Sequence, residues 1–298
     1  TIKKRVDRLR QWGVIQRFSA ELSQETLGVD WVLAELRTKT NNNKVELLQQ
    51  FAEHNCIGEV LMLGGGRYFV FAEVCPSERK ELVSCINELD DVQSATLTDI
   101  LPIRNGVIKG DCRFTTRGGK INLTRNQLEI LKYLVSNARM PVNQISELTG
   151  FSAKFIRRII RRFIESDAVN LTLRLNLPSS GRINFILKYG LNEDTSGPID
   201  ATGFITEIYP EEHWFTFFDP DADNMLHYMT ARSIRDVEHI LQEINNLHYT
   251  EGVEAHIIYS SMKSEGRTRG FIQEYAKKAN LESNGLPLLV DSRVSVSY

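Results

Sequence analysis

This 298-residue chain contains no apolar run near the roughly 18 residues that a membrane-crossing helix needs. Its first residues do not read as a signal peptide, so the cytoplasm is the expected compartment. Cysteine is scarce: Cys56, Cys75, Cys85 and Cys112 form no CxxC pair, which argues against a disulfide framework and against a zinc site. Net charge is small, at −2 from 36 basic and 38 acidic residues, so any nucleic-acid affinity has to come from local clusters. The six histidines (His54, His213, His227, His239, His248 and His256) include no pair at i, i+4 within a predicted helix. His213 and His227 alone are expected to approach each other, on adjacent strands.

Two motifs come close to known sites and miss. In "DPDADN" (219–224) three aspartates alternate, but a calcium loop needs Gly at its sixth position and Glu at its twelfth, where this chain has Asn224 and Thr230. Gly119-Lys120 is followed by Ile121 instead of Ser or Thr, so it is not a phosphate loop. No catalytic residue, metal or cofactor is therefore assigned, and the chain is not expected to be an enzyme.

What the sequence does have is "AKFIRRIIRRFIESDAV" (153–169). At about 100° per residue, Ile156, Ile159, Ile160, Phe163 and Ile164 fall on one face of a helix. Lys154, Arg157, Arg158, Arg161 and Arg162 fall on the opposite face. The chain opens on a similar helix, with Ile2, Val6 and Leu9 on one side and Lys3, Lys4 and Arg8 on the other. Gly13 is placed to end it. That helix is already under way at Thr1, and residues upstream are expected.

The two helices belong to a repeat. An offset of 154 sets Ile2 on Ile156, Lys4 on Arg158, Leu9 on Phe163 and Val14-Ile15 on Ala168-Val169. The same offset sets "VDWVL" (29–33) on "INFIL" (183–187), and Val83 and Ile86 on Val237 and Ile240. Ahead of the 153–169 helix lie "LTRNQLEILKYLVSNA", capped by Thr124, and "PVNQISELTG", with Pro141 near its start and Gly150 at its end. Two helices, a tight turn and a third helix make a helix-turn-helix. The alternating stretch after it turns at Ser179-Ser180-Gly181, as a wing hairpin would. The first copy lacks its two leading helices.

After each such unit the expected order is βαββαβ, a ferredoxin-like sandwich. In the first copy the helices are 43–54 and 77–92. The expected fold class is thus α+β: two copies of a winged helix-turn-helix followed by a ferredoxin-like βαββαβ sandwich. The expected units are 1–28 (remnant of the first winged helix), 29–103 (first sandwich), 104–122 (polar linker), 123–182 (second winged helix), 183–262 (second sandwich) and 263–298 (helix and tail).

The stretch "TIKKRVDRLRQWGVIQRFSAELSQETLG" and the βαββαβ order after it resemble the Lrp/AsnC family of feast/famine regulators, here in a tandem form with a truncated start. The likeness covers residues 1–103 by motif and 121–262 by repeat and element order. It implies a sequence-specific transcription regulator whose partners are double-stranded DNA, further copies of itself through the sandwich domains, and a small-molecule effector of unidentified chemistry. The expected DNA contacts are Lys3, Lys4, Arg8, Lys154, Arg157, Arg158, Arg161 and Arg162. Where the family loop carries acids, this chain has Gly66-Arg67-Tyr68-Phe69. An acid to hold an ammonium is absent, and Arg67 suits a carboxylate or phosphate. Gly66, Arg67 and Tyr68 are therefore either effector contacts or a plain sheet turn with assembly duties. Two other readings stand beside the regulator. One is an enzyme resembling sirohaem decarboxylases, of the same fold, with His213 and Trp214 as its only candidates. The other is a sensor or scaffold without DNA binding.

Overall fold

The computed structural model describes residues 2–39, 51, 54, 56–89, 91–103, 118–176, 178–194, 197–263 and 267–278. The helix expected at 43–54 lies outside the described residues, except for Phe51, which is fully buried, and His54.

Eight strands close into one antiparallel barrel. The first set is β2 (Asp30–Thr38), β3 (Ile57–Leu63), β4 (Arg67–Val74) and β5 (Val92–Ile103). The second is β7 (Ile183–Leu191), β8 (His213–Asp219), β9 (Asn224–Ala231) and β10 (Thr250–Lys263). Their neighbour orders are β3-β4-β2-β5 and β8-β9-β7-β10, so the two sets share one topology. This corrects the expectation of two separate sandwiches. An open set of four leaves a bare edge on each side, and unpaired edges are costly. Here each edge is closed by the other set: Leu101 on β5 faces Phe218 on β8, and Met262 on β10 faces Val60 on β3.

Strand alternation separates two cores. Val32, Ala34 and Leu36 of β2 pack outward with Leu82 and Ile86 of α3 (Arg79–Asn87). Phe185, Leu187 and Tyr189 of β7 pack outward with α7 (Pro198–Ile208) and α8 (Ile234–Asn245). The residues between them point inward. Leu33, Leu61, Phe69, Phe71 and Ile100 meet Ile186, Phe217, Leu226, Tyr228 and Ile258 in a core to which both sets contribute.

The helix-turn-helix is α4 (Arg125–Ser136), α5 (Val142–Thr149) and α6 (Ala153–Glu165). Thr124 and Gln127 form a capping box on α4. Gly150 ends α5 at φ 73°, a left-handed conformation glycine adopts without strain, and Ser152 caps α6 through the Phe155 N–H. Ile156, Ile159 and Phe163 seat α6 on Leu131, Leu134 and Ile145, while Ile164 stays 46% exposed. Among the described residues this is the one complete helix-turn-helix. The helix expected to be the remnant of a first copy, α1 (Ile2–Gln11), buries no residue.

The wing expectation is corrected. β6 (Val169–Leu175) does not fold back on β7 through Ser179–Gly181. It pairs antiparallel with β1 (Ile15–Leu22), in a separate two-stranded ribbon. The reason is apolar register: Phe18 faces Leu173, Ala20 faces Leu171 and Leu22 faces Val169, and Ala20, Leu22 and Val169 enter the helix-turn-helix core. β1 is further tied to α4 by Ser19 Oγ donating to the Val135 carbonyl at 2.9 Å. The tail helix α9 (Arg267–Lys278) locks the joint. Thr268 Oγ1 accepts from Leu22 N–H at 2.8 Å, Ile272 enters the same core, and Arg267 bridges to Glu78 beside the barrel at 2.6 Å.

The expected linker 104–122 divides. Residues 104–117 lie outside the described residues, whereas 118–122 are packed. Gly119 N–H donates to the Asp167 carbonyl at 2.9 Å, and its own carbonyl accepts from Ser23 Oγ at 2.6 Å. A Cβ at Gly119 would stand 1.7 Å from the Ser166 carbonyl oxygen, at the end of α6. Gly119→Ala is therefore expected to lower stability by about 1–3 kcal/mol through overpacking against backbone. Urea denaturation reads this, and an unchanged midpoint would contradict it.

Candidate nucleic-acid interface

All five predicted basic residues of α6 (Lys154, Arg157, Arg158, Arg161 and Arg162) are exposed. The buried isoleucines opposite them dictate this, since a helix seated by one face presents the other. No ion pair to an acidic side chain is recorded for any of the five among the described residues. Arg158 lies over the Phe155 ring, 5.1 Å from its centroid, and Phe155 meets Phe151 edge-on at 5.4 Å. Both phenylalanines pack against the helix-turn-helix core.

Lys3, Lys4 and Arg8 are also exposed, and Arg8 lies 5.8 Å over the Trp12 ring. The structure does not bring this second basic stripe beside the first. Ile15 pairs with Leu175 and Leu22 with Val169, so α1 and α6 leave the ribbon at opposite ends. Over seven residue steps that separation is about 24 Å. The apolar side of α1 is only partly covered: Val6 and Leu9 are half-buried, while Ile2 is 82% exposed and Trp12, just past the helix, 62%.

The three candidate effector residues diverge. Gly66 is buried at φ 73°, against Thr38. Tyr68 is a core residue packed toward α3, and burial, helped by Asp91, raises its hydroxyl above the usual value. Arg67 alone is exposed. It neighbours a charged cluster that the sequence did not point to. Lys188 donates to Glu35 at 2.5 Å across the barrel, and His256 Nε2 lies 3.2 Å from Glu254. Burial lowers the His256 imidazole, Glu254 and Glu35 oppose that shift, and Arg67 and Lys188 reinforce it.

His213 and His227 do approach, with ring centroids 5.5 Å apart. Thr216 Oγ1 stands between them, 2.9 Å from His213 Nε2 and 2.8 Å from His227 Nδ1, and Tyr189 meets His227 Nε2 at 2.9 Å. His227 is fully buried with both nitrogens engaged, and His213 Nδ1 is buried too. His227 is thus a satisfied core histidine, whereas the buried Nδ1 of His213 has no hydrogen-bond partner among the described residues. An open cavity of about 540 Å³ lies elsewhere, at the Asp223 turn and the α7 N-terminus, lined in part by Glu193, Asp223 and Glu251. No cluster of three metal-ligating side chains occurs among the described residues, and no described helix is long and apolar enough to cross a membrane.

The sequence pattern of the family described as "Winged helix-turn-helix DNA-binding" matches residues 123–169, so this segment, which folds as the helix-turn-helix, is similar to that family. No curated protein matches the chain. Among solved structures it is similar to the siroheme decarboxylase NirDL, over 94% of this chain and 88% of that one at 11% identity. The TM-score is 0.61 for that enzyme alone and 0.60 for its co-complex with an iron-uroporphyrin III analogue. At that identity the likeness is one of fold. B. subtilis LrpC aligns over 47% of this chain and 96% of its own length, at 16% identity and a TM-score of 0.39, too loose to carry an argument.

Burial lowers His213 to about 4, and the nearby Phe215 backbone opposes that shift only weakly. Its ordinary value is 6.5, so as pH falls from 6.5 to 4 the unfolded chain takes up a proton here that the folded chain refuses. Stability contributed at this site is present above that window and lost across it, on the order of 3 kcal/mol. Unfolding free energies of the parent and of His213→Gln should converge as pH falls through the window. Parallel curves would contradict this.

Proposed function

We propose that this protein is a transcription regulator of the Lrp/AsnC type that binds double-stranded DNA through α6. The observation that carries the reading is the DNA-binding winged helix-turn-helix, whose third helix is seated by isoleucines and offers five exposed basic side chains. Lys154, Arg157 and Arg158 stand in its N-terminal half, the part that lies nearest base edges; Arg161 and Arg162 meet phosphates. The offset of 154 and the shared strand order support a fused two-copy origin, with α1 as the remnant of a second reader. In this reading the two halves pair within one chain, and contacts between chains fall to the outer helices. Arg67, beside Lys188 and His256, is the point where an effector carrying a carboxylate or phosphate would act. The protein is not an enzyme in this reading.

A duplex-shift assay across salt tests it. Each phosphate engaged contributes about −0.9 to the slope of log affinity against log salt. Arg161→Ala/Arg162→Ala should weaken binding evenly across sequences and make the slope shallower by about two. No duplex binding by the full chain at low salt would end the proposal.

The whole-chain fold likeness to NirDL favours a second reading, a tetrapyrrole decarboxylase. Against it stands the fully buried His227, both of whose ring nitrogens are engaged within the protein. An absorbance titration with sirohaem decides: a spectral shift at stoichiometric ligand supports the enzyme, and an unchanged spectrum removes it.

A further inference from the structure

The five basic side chains of α6 differ in how firmly they are held. Arg158 alone among them lies over an aromatic ring, that of Phe155, three residues earlier on the same helix face. Phe155 is braced edge-on by Phe151, and both pack against the buried helix-turn-helix core. A shelf thus runs from the core through two rings to one guanidinium. A guanidinium over an aromatic ring is held by the charge of the ring face and uses none of its N–H donors in a hydrogen bond. That placement also removes rotamer freedom before any ligand arrives, which lowers the ordering cost on binding. Angular position agrees. At about 100° per residue Arg158 sits near 160° from Ile156, close to the centre of the exposed arc, whereas Arg157 sits near 100°, on its flank.

We infer that Arg158, held on the Phe151–Phe155 shelf, is the base-reading residue of α6, and that Arg157 contacts only the backbone. The inference rests on the DNA-binding reading above. The ligand chemistry is a guanine edge in the major groove, whose O6 and N7 accept a planar pair of donors that a guanidinium supplies and an ammonium does not.

The test uses the full chain and a random duplex library. A site is selected with the parent, and its affinity is then compared with that of a scrambled duplex. Arg158→Lys keeps the charge and should cut the selected-to-scrambled ratio about tenfold or more. Phe155→Leu keeps an apolar anchor but removes the ring, and should cut the same ratio with unchanged charge and salt slope. Arg157→Lys should leave the ratio within about twofold. Thermal melting of each variant controls for folding, and Arg158→Lys touches no core residue. Equal losses in Arg157→Lys and Arg158→Lys, or an unaltered ratio in Phe155→Leu, would overturn the inference. So would salt-dependent duplex binding by the parent without enrichment of any sequence, which leaves DNA binding standing. Absence of duplex binding by the parent overturns both.

Discussion

The pairing of β1 with β6 is the constraint on which the rest depends. It joins strands some 150 positions apart, and it completes the core of the helix-turn-helix with Ala20 and Leu22, which β6 and the three helices do not supply themselves. Without β1, the apolar side of α4 and the inner face of β6 would meet water. With it, α6 leaves the ribbon in a fixed direction, and its basic face is presented as one surface. The barrel then serves as the base on which this unit is mounted. The strands close into one cycle within the chain, with β5 passing from β2 to β8 and β10 from β7 to β3.

The mount is held by charge as well as by apolar packing. Arg267 bridges to Glu78, while Thr268 and Ile272 of the same helix engage the ribbon and the helix-turn-helix core. Close by, burial raises the Glu73 carboxyl to about 7; Glu21 pushes the same way, and Arg267 and Arg174 push against it. α9 thus spans barrel and helix-turn-helix unit, and the charges at the joint belong to the ribbon, the barrel and the tail helix together.

Much of this was legible in the residues. The spacing of Ile156, Ile159 and Phe163, the cap at Thr124, and Gly150 placed the helix-turn-helix correctly, because each is a local signal. Strand existence was equally legible from alternation. Strand partnership was not. "NLPSSG" carries the composition of a turn, but the choice of partner was made by apolar residues far upstream. Closure of two four-stranded sets into one barrel is also a matter of edges, which a sequence does not display. Of the candidate site, exposure of the arginines followed from helix geometry, whereas Tyr68 was misplaced because a turn motif does not say which side of the sheet its residues face. Phe155 and Arg158 stand at the i, i+3 spacing that lets side chains meet. That signal was available in the spacing, but Phe155 was assigned to neither face of the helix.

The central claim is that the exposed arc of α6 lies against DNA. Site-specific photocrosslinking on the full chain addresses this most directly, with the crosslinker placed in turn at positions 154, 161 and, on the outer face of α8, 239. Crosslinks to duplex DNA from 154 and 161 and none from 239 are the predicted result. Silence at 154 and 161 under conditions where the duplex is bound, or crosslinks from 239 alone, would place the nucleic acid elsewhere and contradict the account.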